Sequence, residues 1–489
     1  MRTYRNFIGG EWRESAATKT TPNINPANIA EVFGLVPHST RDEADEAAGA
    51  AHAAFPGWQD TPAPKRGEML LQAATVMKAR KEELARMLTC EEGKAIRESR
   101  AEVQKAIQVT EFMAGAARRL GGATAPSEFS QNFAYTVRRP LGVVALITPW
   151  NFPVSIPAWK LAPALVAGNT VVFKPASWTP DTAEMLTQCY ADAGLPPGVL
   201  NLIYGSGSEV GERLVEHPDV TAVSFTGSNA IGVRLYEQCA RRSIRAQCEM
   251  GGKNPCVILE DADLDLAVEA LVGGAFGATG QRCTAMSRAI VVGAIADKFL
   301  DRLLARTAQL RVGAGLDEAT FLGPCVSESQ MNSVLEYVEI GRREGGKLLC
   351  GGVRLTDGDH ARGYYVAPTI FDSVTRNMRI AREEIFGPVL SIIRVPDFES
   401  ALEAANNVDF GLTSVIYTND LARAFKFVDK IEAGMAHVNS PWLGGEVHLP
   451  FGGTKATGIG PREMGDEVLN FYTEIKTVYI NYNTPKRGE

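Results

Sequence analysis

One cysteine of this chain sits in a run of small residues, Phe276-Gly-Ala-Thr-Gly-Gln-Arg-Cys283-Thr, where a thiol stays approachable. A free cysteine is more often a small buried hydrophobe than a nucleophile. Here Gly277, Thr279 and Gly280 argue against tight burial. An ordinary thiol, with a pKa of about 8.5, is little ionised at neutral pH, so neighbouring groups must promote the thiolate. Upstream, Glu249 closes the run Arg245-Ala-Gln-Cys-Glu and precedes Gly251-Gly252. Alone it reads as a surface glutamate at a strand end. Its apolar and glycine neighbours would raise its pKa and suit it to activating water. A thiol nucleophile with a separate carboxylate base implies covalent catalysis ended by hydrolysis.

Three further places carry polar groups in suggestive settings. Thr148-Pro-Trp-Asn151-Phe-Pro153 follows an apolar strand, and the Asn151 amide is either a turn former before proline or a donor to a developing oxyanion. Thr170-Val-Val-Phe-Lys174-Pro-Ala-Ser177 puts a lysine at the carboxyl end of a strand, where doubly wound sheets bind ligands. Phe225-Thr-Gly227-Ser228 turns a strand into a helix and suits a pyrophosphate, although the full G-x-G-x-x-G pattern is absent. The 6 histidines show no metal-binding spacing, no Cys/His cluster has zinc geometry, and no P-loop or G-x-S-x-G elbow occurs.

These residues need a scaffold, and 489 residues suffice for two or three domains with a large core. A net charge of −7 gives no footprint for nucleic acid or an anionic membrane. The 8 cysteines are scattered and no apolar leader opens the chain, which reads as reduced thiols and a cytoplasmic setting. Pro140 to Trp159 is free of charge over about the length of a membrane span. Four prolines would break a spanning helix there, so it reads as strand and loop.

A capping sequence at Thr40 starts a helix to about 55, and two amphipathic helices are expected near 65–90 and 92–118. Residues 121–138 read as a protruding hairpin. From 141 short β-rich runs (143–147, 170–173, 199–204, 220–225, 245–249) alternate with helical stretches, the signature of βαβ units and a parallel sheet. A second α/β series runs from helix 263–278 to a strand near 435–439. The tail 473–480 reads as a strand that must pair with something, a neighbouring subunit being the natural guess.

In this order the motifs resemble the aldehyde dehydrogenase superfamily: Pro149-Trp-Asn-Phe-Pro, Phe173-Lys-Pro-Ala, Phe225-Thr-Gly-Ser, Glu249-Met-Gly-Gly-Lys-Asn-Pro, Gly280-Gln-Arg-Cys283, Glu383-Glu-Ile-Phe-Gly-Pro388 and Pro450-Phe-Gly-Gly453. The resemblance implies an α/β fold with a doubly wound Rossmann-like cofactor domain (1–120 and 140–250), an α/β catalytic domain (251–455) and a small β oligomerisation element (121–139 and 470–489). It implies that Cys283 adds to an aldehyde and that Asn151, with the Cys283 backbone N–H, holds the oxyanion. Hydride then passes to a nicotinamide, and Glu249 activates the water that hydrolyses the thioester. Lys160 and Glu463 match positions that assist proton relay. Ile147, Thr148, Pro149, Trp150, Lys174, Ala176, Ser177, Phe225, Gly227, Ser228, Gly251, Glu384 and Phe386 match positions that contact the dinucleotide. A homodimer or homotetramer is expected.

Many NAD-using members carry a glutamate three residues after the lysine; here Ser177 stands there, which relieves repulsion of a 2′-phosphate and favours NADP over NAD. Thr136-Val-Arg-Arg-Pro-Leu-Gly-Val-Val and Gly280-Gln-Arg-Cys-Thr-Ala-Met-Ser-Arg288 resemble bacterial 2-oxoglutarate semialdehyde dehydrogenases. Succinate semialdehyde dehydrogenases often carry an arginine where Trp159 stands. Arg282 is a candidate for meeting a substrate anion, and Trp159 and the loop Pro441-Trp442-Leu443 for shaping the pocket. A CoA-acylating enzyme, which typically lacks the base, is disfavoured by Glu249, and a non-catalytic binding protein by the joint presence of Cys283, Glu249, Asn151 and Lys174.

Overall fold

The computed structural model describes residues 1–440 and 444–482. Two large sheets carry the chain. Among the described residues the first has eight strands in the order Glu11–Arg13, Asn6–Ile8, Leu200–Leu202, Thr170–Lys174, Val143–Ile147, Val220–Thr226, Arg245–Glu249 and Gly458–Ile459. Its five central strands are parallel. The chain starts in the middle at 143–147, moves outward to 170–174 and 200–202, then crosses back to 220–226. That reversal is a topological switch point, where open α/β sheets bind ligands beyond the carboxyl ends of their strands. Register places Ile147 opposite both Lys174 and Phe225, and Thr226 opposite Glu249, so the candidate residues gather at one end of the sheet.

The second sheet runs Lys347–Cys350, Thr369–Asp372, Val389–Val395, Arg288–Val292, Pro255–Ile258, Thr413–Tyr417 and Met435–Val438, parallel except at its first strand. Strands of both sheets are buried on two faces. Val144 and Leu146 enter one core while Val143, Ala145 and Ile147 enter another. Val257 and Ile290 point to one side of the second sheet, Cys256, Ile258 and Ala289 to the other. Covered on both faces, such strands read as continuous apolar runs.

Thr40 caps the helix Arg41–Asp60 with a full capping box: its side chain accepts from the Glu43 N–H, and Glu43 reaches back to the Thr40 N–H. The helix expected over 65–90 is two, Ala63–Ala79 and Lys81–Glu92, separated by non-helical Arg80, and the next starts at Ile96. The strand Pro255–Ile258, in the interior of the second sheet beside Arg288–Val292, has no counterpart in the sequence expectation.

The charge-free stretch after Pro140 also differs from its reading as strand and loop. Its last five residues begin the helix Ser155–Ala167, buried at every position. Pro157 falls in its first turn, where a missing N–H costs nothing. Asn169 then ties four segments together: its side-chain oxygen accepts from the Leu141 and Gly142 amides (2.7 and 3.1 Å), and its amide donates to the Ala164 and Tyr472 carbonyls (3.1 and 2.9 Å).

The terminal strand Thr473–Asn481 pairs with a segment of its own chain. It runs antiparallel to Asn132–Pro140 over nine residues, from Thr473 opposite Pro140 to Asn481 opposite Asn132, with Thr124–Ala125 on the far side. Among the described residues no helix is long and apolar enough to cross a membrane.

Candidate active site

Cys283 follows a strained turn. The helix Leu264–Phe276 ends in Gly277–Gly280, where Ala278, Thr279 and Gly280 all take positive φ (46°, 58° and 67°). Two non-glycine residues in this region cost about 1–3 kcal/mol each and persist only where surroundings overdetermine them. They do so here. The Ala278 N–H donates to both Glu98 carboxylate oxygens (2.9 and 3.0 Å), the Thr279 hydroxyl to the Gly323 carbonyl (3.0 Å), and Gln281 Oε1 accepts the Val326 N–H (3.0 Å). At Gly280 a Cβ would collide with the Gly387 carbonyl, so no other residue fits. Asn254 fixes the far side, donating to the Cys283 and Ala285 carbonyls at 2.7 and 2.8 Å.

Held this way, Cys283 is partly exposed and lines two cavities, each of about 230 Å³. The first is walled by Trp150, Gly227, Ser228, Gly251, Glu384 and Phe386. The second is walled by Lys105, Phe152, Trp159, Arg282, Gly445 and Phe451. Burial, then the Glu384 and Glu249 carboxylates, push the thiol up to about 12, with Lys105 acting the other way.

Asn151 lines the first cavity and donates from Nδ2 to the Gln281 carbonyl at 3.0 Å, bridging the two loops that flank the thiol. Its own carbonyl accepts from Lys94 Nζ, which is fully buried and paired with Glu102 at 2.8 Å. The other Glu102 oxygen accepts the Val154 and Ser155 amides (2.9 and 3.2 Å) at the start of the helix Ser155–Ala167. Neither Lys94 nor Glu102 stands out in the sequence. Both lie among ordinary charged helical residues, and the absence of an exposed face for them is visible only in three dimensions.

Glu249 is buried rather than on the surface. Burial first, then the Glu463 carboxylate, hold its pKa well above the usual carboxylate range, against Lys160, Arg462 and the Gly453 N–H. The helix Ser155–Ala167 delivers Lys160 to Glu463 as an ion pair, and Lys160 also donates to the Ser224 hydroxyl at 2.7 Å. Ser224 in turn donates to Gln247 at 2.6 Å. Glu249 and Glu463 each keep one buried carboxylate oxygen with no partner. Glu249 is not among the residues lining either cavity; it faces the Lys160–Glu463 pair.

Trp150 packs between Trp178 (5.6 Å between ring centroids) and Phe386 (5.5 Å, edge-on), and the Phe386 backbone takes φ of 57°. Gln330 pins that backbone by donating to the Phe386 carbonyl at 2.9 Å. Glu384 accepts the Gly252 N–H at 2.8 Å and is raised by burial to about 7; a Cβ on Gly251 would collide with its carboxylate. Lys174 is buried, donates to the Pro175 carbonyl at 3.1 Å, and is lowered by burial to about 8.

Not every expected contact residue reaches the cavity. Phe225 is buried beneath Gly227, and Ile147, Thr148, Lys174, Ala176 and Ser177 cluster at the same strand ends without lining it. Pro149 and Trp150 do line it. In the second cavity Trp159 packs on Phe451 at 5.3 Å between centroids. Arg282 donates from one guanidinium nitrogen to the Gly273 and Gly274 carbonyls (3.1 Å to the latter), closing the end of the helix before the nucleophile turn. That contact gives Arg282 a structural part, while its side chain still lines the second cavity. Trp442 lies outside the described residues, as do Pro441 and Leu443.

The raised thiol has a kinetic consequence. A group at about 12 has a thiolate fraction that grows tenfold per pH unit throughout the accessible range. Iodoacetamide should therefore modify nucleotide-free Cys283 at a rate rising with pH up to about 10 without a plateau. Glu384→Gln removes the largest repulsion after burial and should speed modification severalfold at fixed pH. A plateau near pH 8 would contradict this account of the thiol.

The aldehyde dehydrogenase family matches residues 12–478 of the chain. Alpha-ketoglutaric semialdehyde dehydrogenase of Bacillus subtilis (strain 168) is 44% identical over 480 residues, covering 98% of each protein. Alpha-ketoglutarate semialdehyde dehydrogenase of Haloferax volcanii is 45% identical over 480 residues, covering 98% of this chain and 99% of the relative. The crystal structure of betaine aldehyde dehydrogenase from Staphylococcus aureus in complex with NAD+ superposes with a TM-score of 0.95 at 35% identity, covering 98% of this chain and 95% of that one. The chain belongs to the aldehyde dehydrogenase family.

Proposed function

We propose that this enzyme oxidises a small carboxylated semialdehyde, of the 2-oxoglutarate semialdehyde type, to the dicarboxylate with a nicotinamide dinucleotide. The observation that carries the reading is the position of Cys283 on two cavities at once, one at the switch point of a parallel sheet and one apolar with a cationic wall. The relatives named for semialdehydes support the substrate class.

The residues present fit a dinucleotide. Lys174 is a buried cation with only a carbonyl partner among the described residues, and the Thr148 hydroxyl is buried without one. Ser228 starts the helix Asn229–Arg241 without capping it through its side chain, which leaves first-turn amides for a phosphate. Trp150, Glu384 and Phe386 would hold the nicotinamide end. When bound, the nicotinamide supplies the acceptor for the hydride that converts the thiohemiacetal to a thioester.

The chain's own residues carry the remaining steps. The Cys283 sulfur adds to the aldehyde carbon. An amide nitrogen has two hydrogens; one of Asn151's is committed to Gln281, and the other, with the Cys283 backbone N–H, meets the oxyanion. Glu249, turned toward the thioester, takes a proton from water, whose oxygen adds to the carbonyl carbon and expels the thiolate. The Glu463 carboxylate, paired with the Lys160 ammonium, takes on the proton that Glu249 gains.

Glu249→Gln should release about one equivalent of reduced nucleotide per site and then stall, with steady-state turnover down by at least ~100-fold. In the unsubstituted enzyme the base must be ionised, and its pKa is raised. Turnover limited by hydrolysis should thus fall with decreasing pH at values well above the usual carboxylate range. Equal loss without a burst would remove Glu249 from the role of base.

Ser177 supports NADP over NAD, because a carboxylate there would repel a 2′-phosphate. Ser177→Glu should shift the ratio of kcat/KM values toward NAD by about tenfold. An unchanged ratio would place the selection elsewhere.

A homo-oligomer completes the reading. Ile475 and Tyr479 are 61% and 70% exposed on the terminal strand, and Leu421 and Phe425 are 71% and 69% exposed on the helix Leu421–Lys430. A three-stranded sheet with no core of its own needs a partner surface. Ile475→Asp with Tyr479→Asp should lower the mass seen by sedimentation, and an unchanged mass would rule this surface out.

A further inference from the structure

Lys105 is a cation that the chemistry at Cys283 does not require. It stands on the helix Ile96–Ala116, one turn after Glu102, and lines the second cavity together with Cys283. Its ammonium donates to the Gly445 carbonyl at 2.8 Å and lies 5.3 Å from the centre of the Trp159 ring. Burial lowers its pKa to about 8, with Cys283 and Glu102 acting to raise it.

The other charges of the cavity are committed. Glu102 is paired with Lys94 and two backbone amides, and Glu98 accepts the Ala278 N–H. Arg282 is held at the carbonyls of Gly273 and Gly274. Lys105, like Arg282, ends on neutral carbonyl oxygen, but Arg282 is tied to two carbonyls at a helix end, whereas the Lys105 ammonium holds a single carbonyl and has donor capacity left over. An ammonium taken from water without an anion is unfavourable unless an anion joins it in the working complex. The walls between it and the thiol are apolar: Phe152, Ile156, Trp159 and Phe451. An apolar passage with a thiol at one station and an ammonium at another suits a molecule with an aldehyde and a carboxylate joined by methylene groups.

We propose that Lys105 binds the carboxylate of the substrate and selects semialdehydes over neutral aldehydes; this rests on the reading of the enzyme as a semialdehyde dehydrogenase. The test is the ratio of kcat/KM for succinate semialdehyde and for 2-oxoglutarate semialdehyde over that for butanal. It is measured in the intact enzyme, in Lys105→Met and in Lys105→Arg, with nucleotide affinity followed by fluorescence to show that each variant is folded. A charge-assisted hydrogen bond corresponds to a fall in that ratio of about 30-fold in Lys105→Met, mainly through KM. Lys105→Arg should recover a substantial part. If the intact enzyme prefers the semialdehydes and Lys105→Met keeps the preference, or loses activity equally on all three aldehydes, the assignment of Lys105 is overturned while the function stands. If the intact enzyme shows no preference for semialdehydes, the functional reading fails and the assignment with it.

Discussion

A lysine ammonium and a glutamate carboxylate meet in the dry interior at Lys94 and Glu102, and the geometry of the site descends from that contact. Removing two charges from water is expensive, and the pair is stable only because further polar groups complete it. Those groups are the working parts: the Asn151 carbonyl on the lysine, and the Val154 and Ser155 amides on the glutamate. The pair therefore sets where Asn151 sits and where the helix Ser155–Ala167 begins. Asn151 passes the constraint to the nucleophile turn through Gln281, and the helix passes it to the Lys160–Glu463 pair beside Glu249. Loss of Glu102 would leave the Lys94 ammonium only the longer contact to Glu92 at 3.9 Å, so this network tolerates little drift.

Electrostatics around the thiol run against the ionised form. Glu384 and Glu249 both disfavour a thiolate, and both are themselves raised by burial. Burial raises all three groups, Glu384 to about 7, and so lessens the repulsion they would exert on one another as anions. Arrival of a cationic nicotinamide ring or withdrawal of Glu384 would alter this balance at once. The site is thus arranged so that ionisation accompanies assembly of the complex.

Much of the scaffold could be read from the chain. Alternation of short β-rich runs with helices located the parallel sheets, and the capping sequence at Thr40 located its helix. Where the reading failed, local signals conflicted with tertiary context. The prolines at 149, 153 and 157 hid the helix Ser155–Ala167, because a proline in a first turn looks like a breaker until the helix start is known. Pro255–Ile258 is too short to stand out, although it lies in the interior of its sheet. The terminal strand was visible as a strand, but pairing with residues 132–140 is a long-range event that no local pattern encodes. In the site, the neighbours of Cys283, Glu249 and Asn151 left a bland reading open for each, and only the ordered set of motifs singled them out. Glu102 and Lys105 were not legible, since a charged residue on an amphipathic helix looks the same whether its face meets water or a cavity, and Lys94, in the short break between two charged helices, was no more distinctive. Arg282 was legible as a cation beside the nucleophile, and its attachment to the preceding helix end was not.

All eight cysteines share the property seen at Cys283. Burial raises Cys90, Cys189 and Cys239 to about 11 and Cys248 and Cys325 to about 12, and lifts Cys256 and Cys350 as well. Peroxides attack the thiolate, and the first rung of cysteine oxidation is reached only through it. A thiol held largely protonated is slow to form a sulfenic acid. The environment that delays the attacking species until a complex is assembled also extends the lifetime of the unliganded protein in an oxidising solution.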